Sequence, residues 1–279
     1  MTLTGKSRIA GIFGWPVDHS RSPRLHGYWL KQFGIDGAYI PFATHPAKLE
    51  QGMRALPALG FRGGNITLPH KERALALVDE ATPLAKRIGA INTLIVREDG
   101  TILGDNTDGF GFIANLQHVQ PGWRGASGAA IVLGAGGAAR AIVVSLLDAG
   151  VPEVRLVNRT TRRAEEIAQA VGGSVKVLSW EARADALKDA ALLVNSTTLG
   201  MAGQGPLDLD LRHLPTSALV YDIVYVPLIT DLLKAAQQRG NPTVDGIGML
   251  LHQGRPGFKA WFGQDPPVTP ELRAFVLGG

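Results

Sequence analysis

Between residues 18 and 110 the sequence gathers side chains that bind carboxylates and hydroxyls and that move protons. Ser20 and Ser22 lie in Asp18-His19-Ser20-Arg21-Ser22-Pro23. Asn65, Thr67 and Lys71 lie in Asn65-Ile66-Thr67-Leu68-Pro69-His70-Lys71. Asn92 and Thr93 follow Ala90-Ile91, and Asp105 to Asp108 precede Gly109. Two hydroxyls at i and i+2, just ahead of Pro23 and a helical pattern, suit donation to a carboxylate at the helix start. The same serines equally suit an ordinary N-cap. Taken alone, Lys71 reads as a surface lysine and Asp108 as the N-cap of the helix behind it. Other chemistries are disfavoured. There is no cysteine, hence no thiolate nucleophile or thiolate metal site. No G-x-S-x-G elbow is present. The seven histidines are scattered without i, i+4 ligand spacing, so no metal is expected. His19 and His26 read as structural.

A second constellation begins at residue 134. Gly134-Ala135-Gly136-Gly137-Ala138-Ala139 fits G-x-G-x-x-A between an apolar strand and an apolar helix. Gly134 suits the tight turn, Gly136 the close approach of a pyrophosphate, and Ala139 the packing of helix on strand. A glycine-rich turn needed only for packing is the alternative. The next strand ends in Asn158-Arg159-Thr160, with Arg163 four residues after Arg159. An NAD site carries Asp or Glu at that place to hold the ribose 2′-hydroxyl. Guanidinium groups suit a phosphate instead, which favours NADP over NAD. A solvated basic helix start is the alternative.

Both constellations need a scaffold, and the hydrophobic pattern supplies one. Strands are expected at 7–13, 38–42 and 64–68, and helices at 22–33 and 46–59, with a further helix carrying Lys71, Leu75 and Val78 and Pro69 in its first turn. A hairpin turns at Glu98-Asp99-Gly100. A helix over 108–119 leads to the Gly- and Pro-rich segment 120–128, which reads as a boundary. Strands at 129–133, 154–157, 175–178, 191–194, 219–224 and 242–244 then alternate with helical patterns. Alternating β and α predicts parallel sheets covered by helices on both faces.

The 279 residues are 45% hydrophobic and 19% charged, a globular profile with room for two domains. Residues 1–16 hold no long apolar core, so no signal peptide is read, and no apolar run approaches the roughly 20 residues of a membrane helix. The net charge is +4, but the arginines are dispersed apart from Arg159, Arg162 and Arg163, and no basic stripe interleaved with aromatics is present. The expected partners are small anionic molecules, with neither nucleic acid nor membrane, in a cytoplasmic setting.

Read in order, the motifs are not independent. Ser20-Arg21-Ser22-Pro23, the 65–71 segment, Ala90-Ile91-Asn92-Thr93, Gly104-Asp105-Asn106-Thr107-Asp108-Gly109, the 134–138 loop, Asn158-Arg159-Thr160, Asn195-Ser196-Thr197-Thr198-Leu199-Gly200-Met201, Tyr221-Asp222-Ile223-Val224-Tyr225 and Asp245-Gly246-Ile247-Gly248-Met249-Leu250 form one series. From near residue 7 to near residue 262 it resembles the shikimate dehydrogenase family. The resemblance implies an N-terminal α/β substrate domain, residues 1–110 completed by 246–279, and a Rossmann-like doubly wound NADP-binding domain, residues 111–245, with a cleft between them. It implies the reversible, NADP-dependent reduction of 3-dehydroshikimate to shikimate, with Lys71 and Asp108 as the catalytic pair. Ser20 and Ser22 would hold the substrate carboxylate, and Thr67, Asn92, Asp108, Tyr225 and Gln253 its hydroxyls. Gly134, Ala135, Gly136, Gly137, Ala138, Asn158, Arg159, Thr160 and Arg163 match the NADP site, while Ile223 and Gly246 match positions near the nicotinamide. A monomer or homodimer is expected. The alternatives are a quinate/shikimate dehydrogenase or a paralogue for a related ring acid, and a non-catalytic NADP-binding regulatory module. Three departures stand out: His70 in place of a common aromatic, Pro83 in place of a polar residue, and Gly and Pro in 253–257, where a helix would otherwise continue.

Overall fold

A computed structural model describes residues 3–278. The chain forms two compact units, Met1–Gly111 with Leu250–Gly279, and Phe112–Met249.

The first unit runs β1 (Arg8–Gly14), α1 (Ser22–Gln32), β2 (Gly37–Ala43), α2 (Leu49–Ala55), β3 (Phe61–Ile66), α3 (Lys71–Leu75), β4 (Glu80–Ala81), α4 (Pro83–Ile88), β5 (Thr93–Val96) and β6 (Ile102–Asp105). α5 (Asp108–Val119) then leads into the second unit. The sheet order is β2-β1-β3-β5-β6-β4. β1 is buried almost throughout because it lies between two parallel neighbours, β2 and β3. This sheet is mixed rather than wholly parallel, because the 93–105 hairpin enters it antiparallel to β3. The helix over 46–59 is shorter than expected and opens with a 3-10 turn at Pro46–Lys48, where the His45 ring accepts the Ala47 N–H at 3.2 Å. The expected start of a helix at Pro69 is also corrected. His70 N–H closes a turn on the Thr67 carbonyl at 2.9 Å, so α3 begins two residues later, at Lys71.

In the second unit β7 (Ala129–Leu133), α6 (Gly137–Asp148), β8 (Val154–Asn158), α7 (Thr161–Val171), β9 (Val175–Ser179), β10 (Ala190–Asn195), β11 (Leu219–Asp222), α8 (Asp231–Gln238) and β12 (Thr243–Val244) build a six-stranded sheet. Its order is β12-β11-β10-β7-β8-β9, parallel throughout. That is the doubly wound order, whose direction reverses between β7 and β10. Alternation along β7 sends Ala130 and Val132 into one core with Ile142 and Phe112, and Ile131 and Leu133 into another with Leu193 and Leu233.

The chain re-enters the first unit within α9 (Ile247–Phe262) and ends with α10 (Pro270–Leu277). α9 continues through Gly254, Pro256 and Gly257, against the expectation of a break. An interior proline costs roughly 3 kcal/mol, but the burial of Phe258, Trp261 and Phe262 holds the helix in place. A side chain at residue 254 would meet Leu25 at 2.8 Å, so α9 and α1 pack together only because glycine stands there.

Candidate active site

Lys71 opens α3 and Asp108 opens α5. Their side chains meet at 2.5 Å, Nζ to Oδ2, with the lysine mostly and the aspartate almost wholly shielded from solvent. Lys71 is therefore not a surface lysine. Asp108 is not an N-cap but the first helical residue, and its own N–H is held by the Asn106 carboxamide at 3.1 Å. The second carboxylate oxygen, Oδ1, accepts from Asn92 Nδ2 at 2.8 Å. Removing either partner of such a shielded pair leaves a charge without compensation.

The orientation of Asn92 is fixed by its surroundings. Its Oδ1 accepts from the Thr107 backbone N–H at 2.9 Å and from the Thr93 hydroxyl at 2.8 Å. The amide nitrogen must then face Asp108 and Gln253, whose Oε1 lies 3.1 Å away. Thr107 donates its hydroxyl to the Gln253 carbonyl at 2.9 Å, which ties α9 to the dyad. Asn65, buried on β3, donates to the Asn92 carbonyl at 3.0 Å and accepts from the Tyr39 hydroxyl at 2.6 Å. Lys71, Asp108, Asn92 and Gln253 thus form one hydrogen-bonded cluster. Thr67 joins β3 to the α3 turn, its N–H donating to Phe13. His70, the residue that departs from the usual aromatic, is buried, and its Nε2 meets the Thr44 carbonyl at 2.8 Å. Burial holds its pKa below the ordinary histidine value.

Ser20 and Ser22 do not cap α1. The cap position is Arg21, without any side-chain bond, and Ser20 Oγ accepts from the Ser22 N–H at 3.3 Å. Ser20 thus takes the first N–H of this 11-residue helix, Pro23 brings none, and two hydroxyls stand at the helix start, an arrangement suited to a carboxylate.

In the second unit Gly134 follows β7 with φ +110°, and a side chain there would strike Ser196 Oγ at 2.8 Å. Ser196 in turn donates to the Leu133 carbonyl at 2.6 Å. Gly136 caps α6 without any side chain, and a Cβ built on it would meet nothing within 4 Å. Bare N–H groups at a helix start with open space before them fit a pyrophosphate. Ala135 is buried beneath the loop, and Gly137 and Ala138 form the first turn of α6. Asn158 ends β8 and donates to the Thr160 carbonyl at 2.9 Å. Thr160 caps α7 without a side-chain bond. Arg159, Arg162 and Arg163 are all exposed, and Arg162 pairs with Glu166 at 3.2 Å. No carboxylate stands at the end of β8, so these residues fit a 2′-phosphate.

Ile223 and Gly246 are brought together. A Cβ on residue 246 would lie 2.2 Å from the Ile223 carbonyl, so only glycine allows the contact. Tyr225 lies on the same segment after β11, in the second unit, apart in the chain from the other candidate substrate residues.

Sequence reasoning did not assign roles to Tyr39, Thr107, Asn195 or Asp222. Asp222 is buried and accepts from Asn195 at 3.0 Å, Val224 N–H at 3.0 Å and Thr230 at 2.7 Å. Burial raises its pKa to about 6. The signal was available, since a charged residue at the end of an apolar strand, Leu219–Asp222, requires partners. Tyr39 carried no signal beyond strand alternation.

The class these features define is a two-unit α/β protein that joins a mixed sheet bearing a shielded Lys–Asp pair to a doubly wound parallel sheet bearing a glycine loop. Family models agree with it segment by segment. "Shikimate dehydrogenase substrate binding domain" matches residues 12–94, "Shikimate / quinate 5-dehydrogenase" 120–201, and "Shikimate 5'-dehydrogenase C-terminal domain" 246–270. A curated relative, shikimate dehydrogenase (NADP(+)) of Paramagnetospirillum magneticum, is 62% identical over 99% of this chain and 100% of its own length. Among solved structures, shikimate 5-dehydrogenase of Thermus thermophilus in complex with NADP(H) and shikimate is 35% identical, with a TM-score of 0.84 over 96% of this chain and 98% of that one. Quinate dehydrogenase of Corynebacterium glutamicum in complex with NAD is 31% identical, with a TM-score of 0.88 over 97% and 99%. The chain belongs to the shikimate dehydrogenase family.

Proposed function

We propose that this chain catalyses the reversible, NADP-dependent reduction of 3-dehydroshikimate to shikimate. The observation that carries the reading is the shielded Lys71–Asp108 pair, oriented by Asn92, in a chain whose relative at 62% identity bears that activity in its name. When bound, the reduced nicotinamide supplies the hydride. Lys71, as ammonium, hydrogen-bonds the ketone oxygen and donates a proton as negative charge grows there; in the reverse direction neutral Lys71 takes the proton back. Asp108 holds the lysine and keeps acceptor capacity for a substrate hydroxyl. Ser20 and Ser22 hold the ring carboxylate at the start of α1, and Thr67, Asn92, Gln253 and Tyr225 hold hydroxyls. The glycine loop takes the pyrophosphate, Asn158, Arg159, Thr160 and Arg163 take the 2′-phosphate, and Ile223 with Gly246 flanks the nicotinamide. Residues 1–110 with 246–279 serve substrate binding and 111–245 serve NADP. No helix among the described residues is long and apolar enough to cross a membrane, and the proposal includes a cytoplasmic location.

A second reading, a quinate-oxidising enzyme that uses NAD, has the C. glutamicum likeness in its favour and the Asn158-Arg159 strand end against it. One assay decides. Reduced-nicotinamide absorbance is followed with shikimate or quinate and with NADP or NAD. Fast turnover confined to shikimate with NADP supports the proposal. Faster turnover of quinate with NAD replaces it with the second reading.

A further inference from the structure

Tyr39 lies on β2 beneath the serine loop and beside the dyad cluster, almost wholly buried. Its ring stacks on His26 at 4.1 Å between centroids and 17° between planes, and tilts against Trp261 at 5.9 Å. On its other face His26 stacks against Phe258 at 5.9 Å and 15°. Burial depresses the His26 pKa to about 3, so this stack carries no charge at working pH. With the tyrosine ring held on a neutral aromatic platform, its hydroxyl rotor is the freedom that remains.

The direction of that rotor follows from the donors and acceptors around it. The Asn65 amide nitrogen donates to the Asn92 carbonyl at 3.0 Å and reaches the Thr93 hydroxyl at 3.4 Å. Its oxygen therefore faces Tyr39, and the phenol donates to it at 2.6 Å. A phenol has one proton. Having donated it to Asn65, the oxygen keeps only acceptor capacity on its remaining side, which faces Ser22. The order is thus Tyr39 to Asn65 to the Asn92 backbone. Beyond that the Asn92 side chain donates to Asp108 at 2.8 Å, and Asp108 meets Lys71.

We propose that Tyr39 is a positioning residue of the active site: its hydroxyl sets the Asn65 carboxamide, and through it the Asn92 segment that orients Asp108. This rests on the dehydrogenase reading above. Loss of the hydroxyl removes the donor that meets the buried Asn65 oxygen at 2.6 Å, a defect large enough to turn the carboxamide and release Asn92.

The test is a double-mutant cycle on purified full-length protein with Tyr39→Phe, Asn65→Leu and the pair. It reads kcat, KM for shikimate, KM for NADP and the thermal midpoint. Tyr39→Phe is expected to lower kcat about tenfold, a loss comparable to one unsatisfied buried acceptor, while KM for NADP stays within about twofold. Asn65→Leu alone is expected to lower kcat at least as much. In that background Tyr39→Phe is expected to add less than about twofold, because the two act through one link. Wild-type kcat in either single variant, whatever its thermal midpoint, overturns the positioning role. So do effects that multiply in full. Wild-type protein inactive on shikimate with NADP overturns the dehydrogenase reading itself, and this proposal with it, whereas active wild type with unaffected variants overturns the positioning role alone.

Discussion

In the first unit Lys71, Asp108, Asn92, Thr107 and Gln253 are shielded and hydrogen-bonded to one another, whereas in the second the uncapped helix start at Gly136 and the exposed Arg159 offer bare backbone and charge. One site is a closed polar network, in which each group's orientation is dictated by the next. The other is shaped by missing side chains and an uncapped helix start. A closed network gives precision at the reacting atoms, because rotating one amide disturbs its neighbours. An open cradle gives affinity for a large polyanion through many separate, weak and interchangeable contacts. Mutations should therefore act all-or-none in the first unit and by degrees in the second.

The largest expected effect is in the network. Lys71→Ala should lower kcat by about 100- to 10,000-fold, the range for a lost general acid–base group, with KM for NADP nearly unchanged. Steady-state rates with shikimate decide, and turnover within threefold of wild type would break the contrast. Next is a place in the second unit where space is as tight as in the first. Gly246→Val should lower stability by about 3 kcal/mol or more, since a Cβ there meets two carbonyl oxygens at 2.2 and 2.6 Å. Urea unfolding measures it, and an unchanged midpoint would remove the close-approach account. In the open cradle, Arg159→Ala and Arg163→Ala should each weaken NADP binding by roughly 10-fold, one charge-assisted phosphate contact, and leave NAD binding unchanged. Equal losses for both nucleotides would place the arginines elsewhere than at the 2′-phosphate.

The smallest effect concerns Asp222. Its native pKa, about 6, lies above the ordinary 3.8. The native state thus keeps a proton that the unfolded chain has already lost, and this group's contribution falls as pH rises from about 4 to about 6. Asp222→Asn should flatten that decline by on the order of 1 kcal/mol. Thermal midpoints at pH 4.5 and 7, compared between variant and wild type, test it, and parallel pH curves for the two proteins would contradict the shift.

Legibility followed the same division. Gly134 to Ala139 was readable from local spacing, because a tight turn and a close helix need glycine and alanine wherever they occur. Continuous apolar runs gave β7 and β10 for the same local reason. The Lys71–Asp108 pair was not readable from composition, where each residue alone looked ordinary. Only the resemblance joined residues 37 positions apart. The start of α3 and the persistence of α9 past Pro256 were misread because tertiary contacts decided them: the Thr67–His70 turn in one case and the buried Phe258–Phe262 segment in the other. Tyr39 was missed because nothing in β2 distinguishes a core tyrosine from one whose hydroxyl matters.

The return of α9 to the first unit carries a consequence for how the molecule is made. Trp261 donates to the Leu94 carbonyl across 167 positions, and Arg8 to the Phe262 carbonyl across 254. A ribosome releases residues 112–249 before those partners exist, so the middle of the chain can complete its sheet while the beginning still waits for its last helix. Contacts this distant in sequence are slow to close. The part made first is thus finished last, since β1 and β5 await the bonds that residues 261 and 262 bring.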